Sequence, residues 1–140
     1  MLMKISVGIT GTQKGLTEAQ FAALELLLPH MGMTEIHAGD CVGVDAEIIT
    51  YVKEVLPSVK TVGHPPTIAD KRAFLEYDEE RAPKDYLVRN HAIVDASDYL
   101  VACPKEDEEV LRSGTWATVR YARKTGKTVV IIKPDGTWGA

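Results

Sequence analysis

Two short segments of this 140-residue chain combine hydroxyls, glycine and free backbone in the pattern that holds a phosphate. Ser113-Gly114-Thr115 offers two hydroxyls and a residue with no side chain in the way, at a place where the free N–H groups of a helix start would point. Arg112 stands beside it as a counter-charge. Gly11-Thr12-Gln13 ends a strand-like run, and its glycine lets the backbone come close to a ligand. Taken singly, each also reads as ordinary structure, Ser113 as a helix cap and the glycines as turn residues. Both at one edge of one sheet would mean more than either alone.

Further candidates follow the other strands. Gly39-Asp40-Cys41-Val42-Gly43 comes after a second strand, where an acid grips a ribose hydroxyl in dinucleotide folds. Asp40 fills that place, and so can Asp45, although either carboxylate also suits the first turn of the next helix. His64 and Pro104 each stop a strand. Arg89-Asn90, inside a helix that leads to a strand, can present a guanidinium to phosphate or simply form an exposed helical face. Cys41 and His64 allow a thiol–imidazole dyad in principle, but no third orienting group can be assigned. The four histidines and two cysteines have no compact metal-ligand spacing, so no metal site is expected. Neither G-x-G-x-x-G nor G-x-x-x-x-G-K-[ST] occurs.

The elements needed to bring these residues together are legible in the pattern. Lys4 to Thr10 reads as a buried strand, followed by a helix capped by Thr17 with Gln20 three residues on, as in a capping box. Glu35 to Ala38 is a second strand, and a second helix carries Val44, Ile48, Val52 and Val55 or Leu56. Val59 to Gly63 is a third strand. Thr67 to Asp85 is rich in charge of both signs and reads as a solvated excursion containing at most a short helix. Pro83 suits the first turn of a helix through Leu87, His91 and Val94. Tyr99 to Cys103 is a fourth strand; Ser113 caps a last helix closed by Gly126; Thr128 to Ile132 is a fifth strand; and 134–140 is a tail. The basic run Arg120, Arg123, Lys124 and Lys127 reads as structural, since positive charge is favoured at a helix C-terminus. This alternation predicts an α/β, Rossmann-like, doubly wound and mainly parallel five-stranded sheet with helices on both faces, forming one domain over 1–140. Ligands of such a sheet bind beyond the carboxyl ends of its strands.

A formal net charge of −4 argues against nucleic acid as the main partner. No apolar run approaches the roughly 18 residues of a membrane span. The start, Met1 to Val7, leads into the first strand without the features of a secretory signal. Two cysteines make no disulfide framework, and a cytoplasmic setting with both thiols reduced is expected.

Arg112 to Ala122, continuing through Gly126-Lys127, is similar to the Ser-Gly-Ser/Thr, Thr-Ala, Ala, Gly-Arg/Lys run of the DNA-processing protein A group. Arg89-Asn90-His91-Ala92-Ile93-Val94 with Asp98 resembles that group's Arg-Asn-Arg-x-Ile segment. Gly39 through Asp45 resembles its Gly-x-x-x-Gly-x-Asp stretch, and Gly8 to Thr12 its first phosphate loop. These segments occur in the right order along most of the chain and resemble the SLOG superfamily, which also contains the cytokinin-activating phosphoribohydrolases. The resemblance implies a pocket that holds a nucleotide-like phosphate between the first loop and the last helix, and self-association into dimers or tetramers. Where the phosphoribohydrolases carry their glutamate, this chain has Thr118, which cannot act as a carboxylate base. The resemblance does not extend to the flanking domains of the DNA-processing proteins.

Three functions follow in order. The first is a module binding a phosphorylated nucleotide or an NAD- or ADP-ribose-type ligand as sensor, carrier or sequestering protein. The second is an N-glycosidase acting on nucleoside phosphates, with Asp40, Asp45 or an acid from Glu76 to Glu80 replacing the missing glutamate. The third is single-stranded DNA binding. A nucleotide-type small molecule is the expected partner, with no resident cofactor assigned, no membrane and no catalytic residue named.

Overall fold

The computed structural model describes residues 3–140; Met1 and Leu2, which the sequence reading ran into the first strand, lie outside the described residues. The elements in chain order are β1 (Ser6–Gly11), α1 (Glu18–Leu27), β2 (Glu35–Ala38), α2 (Val44–Val55), β3 (Lys60–Gly63), β4 (Glu79–Glu80), α3 (Tyr86–Asp95), β5 (Tyr99–Cys103), α4 (Gly114–Lys124), β6 (Thr128–Ile132) and β7 (Trp138–Gly139). They form one sheet in the order β4-β3-β2-β1-β5-β6-β7. Every pairing is parallel except that of β6 with β7.

The expected α/β doubly wound architecture is therefore present, with seven strands rather than five. The two additions are two-residue edge strands in the segments read as an excursion and a tail. Neither shows the periodicity of a strand, because two residues are too short to alternate. Within the excursion, residues 69–71 form a single 3₁₀ turn.

Helices cover both faces because the central strands are apolar on both. On one side Val7, Ile9, Ile36 and Val101 pack with Leu24 and Leu28 near α1 and with Val44, Ile48 and Val52 of α2. On the other, Leu100, Ala102, Val129 and Ile131 pack with Val94 of α3 and Trp116, Val119 and Ala122 of α4. Val55, offered for the inner face of α2, is instead exposed.

Helix boundaries follow their caps. Thr17 Oγ1 accepts from Gln20 N–H and Gln20 Oε1 accepts from Thr17 N–H, closing the expected capping box at 3.0 Å each way. Ser113 Oγ accepts from Trp116 N–H, and Gly126, in the left-handed region, ends α4. Pro83 does not enter a helix: α3 begins at Tyr86 behind Asp85, and 83–84 stays extended where Lys84 bridges Pro66. Among the described residues no helix is long and apolar enough to cross a membrane.

Candidate functional site

The strand order reverses at β1, whose neighbours β2 and β5 lead to helices on opposite faces. The chain segments leaving β1, β2 and β5 must diverge there, and a crevice opens between them. It is a cavity of about 430 Å³. Its wall takes Gly11, Thr12 and Gln13 from the end of β1, Gly39 from the end of β2, Asp45 from the first turn of α2, Arg89 and Asn90 from α3, and Arg112 to Thr115 from the start of α4. These distant segments meet as the sequence reading required.

Four expected residues are not on that wall. Asp40 has no exposed surface and is spent on the 72–77 segment: its carboxylate accepts from Arg72 Nε at 2.6 Å, from the Phe74 and Leu75 amides, and from Tyr77 Oη. It cannot also hold a ribose. Gly43 lies behind the wall, with φ +89 and no room for a side chain, since a Cβ there would come within 2.6 Å of Gln13 and Thr12 backbone atoms. It sets the position of the Thr12-Gln13 loop rather than touching a ligand. Pro104 turns inward and its carbonyl accepts from Gln20 Nε2.

His64 is also buried away from the cavity, in a polar chain that runs beneath three strands. Lys4 Nζ and Ser6 Oγ both reach Glu35 Oε1, His37 Nε2 lies 3.2 Å from the same oxygen, and His37 Nδ1 lies 2.8 Å from His64 Nε2. Burial raises Glu35, but hydrogen bonds from Ser6, Lys4 and His37 outweigh it and bring its pKa down to about 2. An ionised Glu35 accepts from His37 Nε2–H, so in the neutral ring His37 Nδ1 is an acceptor and His64 Nε2–H the donor. Burial, reinforced by neighbouring cations, drives His64 down to about 3 and lowers His37 as well, so both rings are neutral. The Cys41–His64 dyad does not form. Cys41 Sγ instead faces Arg89 Nη2 at 3.7 Å, and burial raises its pKa.

Arg89 is the largest departure from an exposed helical face. It is 4% exposed, and Nη1 donates to the carbonyls of Gly39 at 2.6 Å and His64 at 3.2 Å. Its Nε donates to Asn90 Oδ1 at 2.7 Å. No carboxylate lies within salt-bridge distance of it among the described residues. Gly39 is required for this approach, because a Cβ there would stand 2.6 Å from Nη1. Asp45 is buried nearby; burial lifts its carboxyl to about 6 against the opposing pull of the Arg89 charge and the Cys41 and Gly39 amides.

Lys14, Tyr86, Lys105 and Glu106, not singled out in the sequence, also lie on this wall, as do Cys41 and Thr118, which were noted there but not as ligand-binding residues. Each lies within a few residues of a named candidate, so the signal was proximity to a strand end. Thr118 Oγ1 donates to the Gly114 carbonyl, one turn back in α4. The cavity thus carries four cations, Lys14, Arg89, Lys105 and Arg112, against two carboxylates, Asp45 and Glu106. No group of three or more His, Cys, Asp or Glu among the described residues is placed to hold a metal ion.

No protein-family model matches this chain, and no curated protein does. Among solved structures it is similar to the molybdenum cofactor binding protein from the phototrophic bacterium Rippkaea orientalis. The TM-score is 0.67 at 22% identity, over 95% of this chain and 78% of that one. At that identity the likeness establishes a shared fold. The sequence-level resemblance to the SLOG superfamily gains no match of its own.

Proposed function

We propose that this protein binds a phosphorylated, heterocycle-bearing small molecule in the cavity at the carboxyl ends of β1, β2 and β5. The observation that carries the reading is charge: a chain of net charge −4 places four cations against two carboxylates around one crevice. The start of α4 adds free N–H groups to the same wall, and Gly114 has nothing within 4 Å of where a Cβ would stand. A phosphate can therefore approach the helix end without displacing protein atoms. The volume falls within the range of about 300–1,000 Å³ usual for small-molecule sites.

Nucleotides and NAD- or ADP-ribose-type molecules satisfy this description. So does the phosphorylated pterin that forms the organic part of the molybdenum cofactor, the ligand named for the structural neighbour. With no metal-holding cluster on the wall, the protein would grip the phosphate and the ring system of such a ligand. Self-association into dimers or tetramers belongs to the same reading. Leu87 on the wall, its neighbour Val88 and Leu111 beside Arg112 are exposed apolar side chains near the mouth. Reduced Cys41 and Cys103 fit a cytoplasmic setting.

The N-glycosidase alternative retains one of its named acids. Asp40 is occupied, Asp78 accepts from Thr61, Glu79 and Glu80 pair with Lys60 and Arg72, and Glu76 is not on the wall, leaving Asp45 as the candidate that faces the cavity. Base release from nucleoside monophosphates, lost in Asp45→Asn, would establish it.

A thermal-shift panel of mononucleotides, ADP-ribose, NAD, a phosphorylated pterin and a single-stranded oligonucleotide tests the main reading. A ligand at 100 times its Kd adds about 2.7 kcal/mol, a rise of several degrees for a domain of this size. Gly114→Asp should abolish that rise without lowering the melting temperature of the free protein, since the new carboxylate meets open space and repels phosphate. An unchanged rise in Gly114→Asp would remove the phosphate placement.

A further inference from the structure

Asp45 is 7% exposed, yet it lines the cavity. Its Oδ2 accepts from the Cys41 N–H at 3.2 Å; no other donor meets its carboxylate in hydrogen-bond geometry among the described residues, although the Gly39 amide is near enough to favour the charged form. No fully enclosed side-chain oxygen or nitrogen lacks a partner, so the free oxygen of Asp45 is the one that opens on the cavity. An acceptor site that opens on a cavity is filled by water or by a ligand that donates to it, and a carboxylate otherwise withdrawn from solvent favours a strong donor there.

The groups beside it have the opposite sense. The Asn90 amide is oriented by its Oδ1 accepting from Arg89 Nε, which leaves Nδ2 free to donate toward the wall it lines. The Arg89 guanidinium lies at the same end of the cavity, where Nε and Nη1 are spent on Asn90, Gly39 and His64 and Nη2 reaches Cys41, leaving one Nη2–H to donate. One acceptor next to two donor groups is the complement of a ring edge carrying two N–H donors beside a carbonyl oxygen. Guanine and pterin both have that edge, in their 2-amino-4-oxo-pyrimidine unit (numbered 2-amino-6-oxo in guanine). Adenine reverses the pattern, and hypoxanthine or lumazine lacks the 2-amino donor.

We infer that the deep end of the cavity selects a 2-amino-4-oxo-pyrimidine ring, of guanine or of a pterin, with Asp45 accepting from its ring N–H and amino group and Asn90 and Arg89 donating to its carbonyl. This rests on the phosphate reading above, which places the ligand's other end at Thr12-Gln13 and the start of α4. Selectivity then comes from a carboxylate rather than from shape. Losing one hydrogen bond to a charged group costs about 1.5–3 kcal/mol, so removal of the 2-amino group should weaken binding at least about tenfold.

Calorimetric titration decides it with GMP, IMP and AMP, with 6-(hydroxymethyl)pterin phosphate and its 2-oxo lumazine counterpart, and with pyrophosphate as a ringless probe. The expected result is that GMP binds at least tenfold tighter than IMP or AMP, or the pterin at least tenfold tighter than the lumazine; the tighter pair names the source of the ring. Asp45→Asn should bring that ratio near one. If the wild type does not discriminate, or if the preference survives Asp45→Asn, the ring assignment is overturned while pyrophosphate binding still supports the phosphate site. If pyrophosphate and every ring compound fail to bind, both readings fall. The wild-type series stands by itself should Asp45→Asn not fold.

Discussion

Asp45 and His64 are ionisable groups that burial largely withdraws from water, and each leaves a signature in stability against pH. Asp45 titrates at about 6 in the folded chain against a reference of 3.8, because burial disfavours its charge. Its folded pKa is raised, so the folded state holds the proton longer and stability from this group falls as pH rises from about 4 to about 6. Asp45→Asn should therefore be more stable than the parent by about 1–3 kcal/mol at pH 7.5, with the gain gone below about pH 4. Urea denaturation at both pH values measures it. His64 acts in the other sense. Its folded pKa of about 3 lies below the reference 6.5, so the unfolded chain takes up the proton first and stability is lost as pH falls below about 6.5. His64→Gln should flatten the slope between pH 6.5 and 5 by about 1.4 kcal/mol per pH unit, while the parent keeps it. An equal slope in both proteins would mean that His64 is charged in the fold, against the burial and neighbouring cations that hold it neutral.

Among elements, the loop from β1 and the start of α4 do most to shape the site, and their restraints differ in kind. Gly43 holds the Thr12-Gln13 loop by having no side chain at φ +89, against backbone that cannot move aside. Gly43→Ala combines strain with a collision, so a loss of about 1–3 kcal/mol is expected, together with weaker phosphate binding. Gly114→Ala is the matched control: it meets open space and has no left-handed backbone, so it should change stability little. Ser113→Ala removes the oxygen that accepts from Trp116 N–H and should cost about 1 kcal/mol. Capping was readable in advance at both α1 and α4, because a cap needs only residues three apart. The loop Lys105 to Arg112 was harder to read: Arg120 holds it by donating to the Val110 and Leu111 carbonyls and pairing with Glu109. The basic run of α4 is thus structural at Arg120, as its composition suggested.

For the whole molecule, the sheet has two edges closed by minimal strands. β7 pairs antiparallel with β6, and the tail is tied further back where Thr17 Oγ1 donates to the Pro134 carbonyl at 2.7 Å. Removing 134–140 uncovers the Ile131-Ile132 end of the edge of β6, so truncated protein should show concentration-dependent aggregation in light scattering that the full chain does not. At the opposite edge β4 is carried by the 67–85 excursion, which Asp40 anchors from within.

The amino-acid sequence by itself determined the alternation of strands and helices, the caps, the absence of metal spacing, and which strand ends carry hydroxyls and glycine. These depend on periodicities of two and 3.6 and on neighbours within a turn, all local in the chain. Only the tertiary structure decided what the polar residues near those ends do. Asp40 and Asp45 are five positions apart and equally plausible in sequence, but one turns beneath the excursion and the other into the cavity. Arg89, which in sequence could either reach a phosphate or lie on an exposed helical face, is buried because Gly39, fifty residues earlier, leaves room for it. Burial and hydrogen-bond partnership are sums over residues that are distant in the chain, so a carboxylate's role is settled by which donors the fold brings to it and which it leaves away.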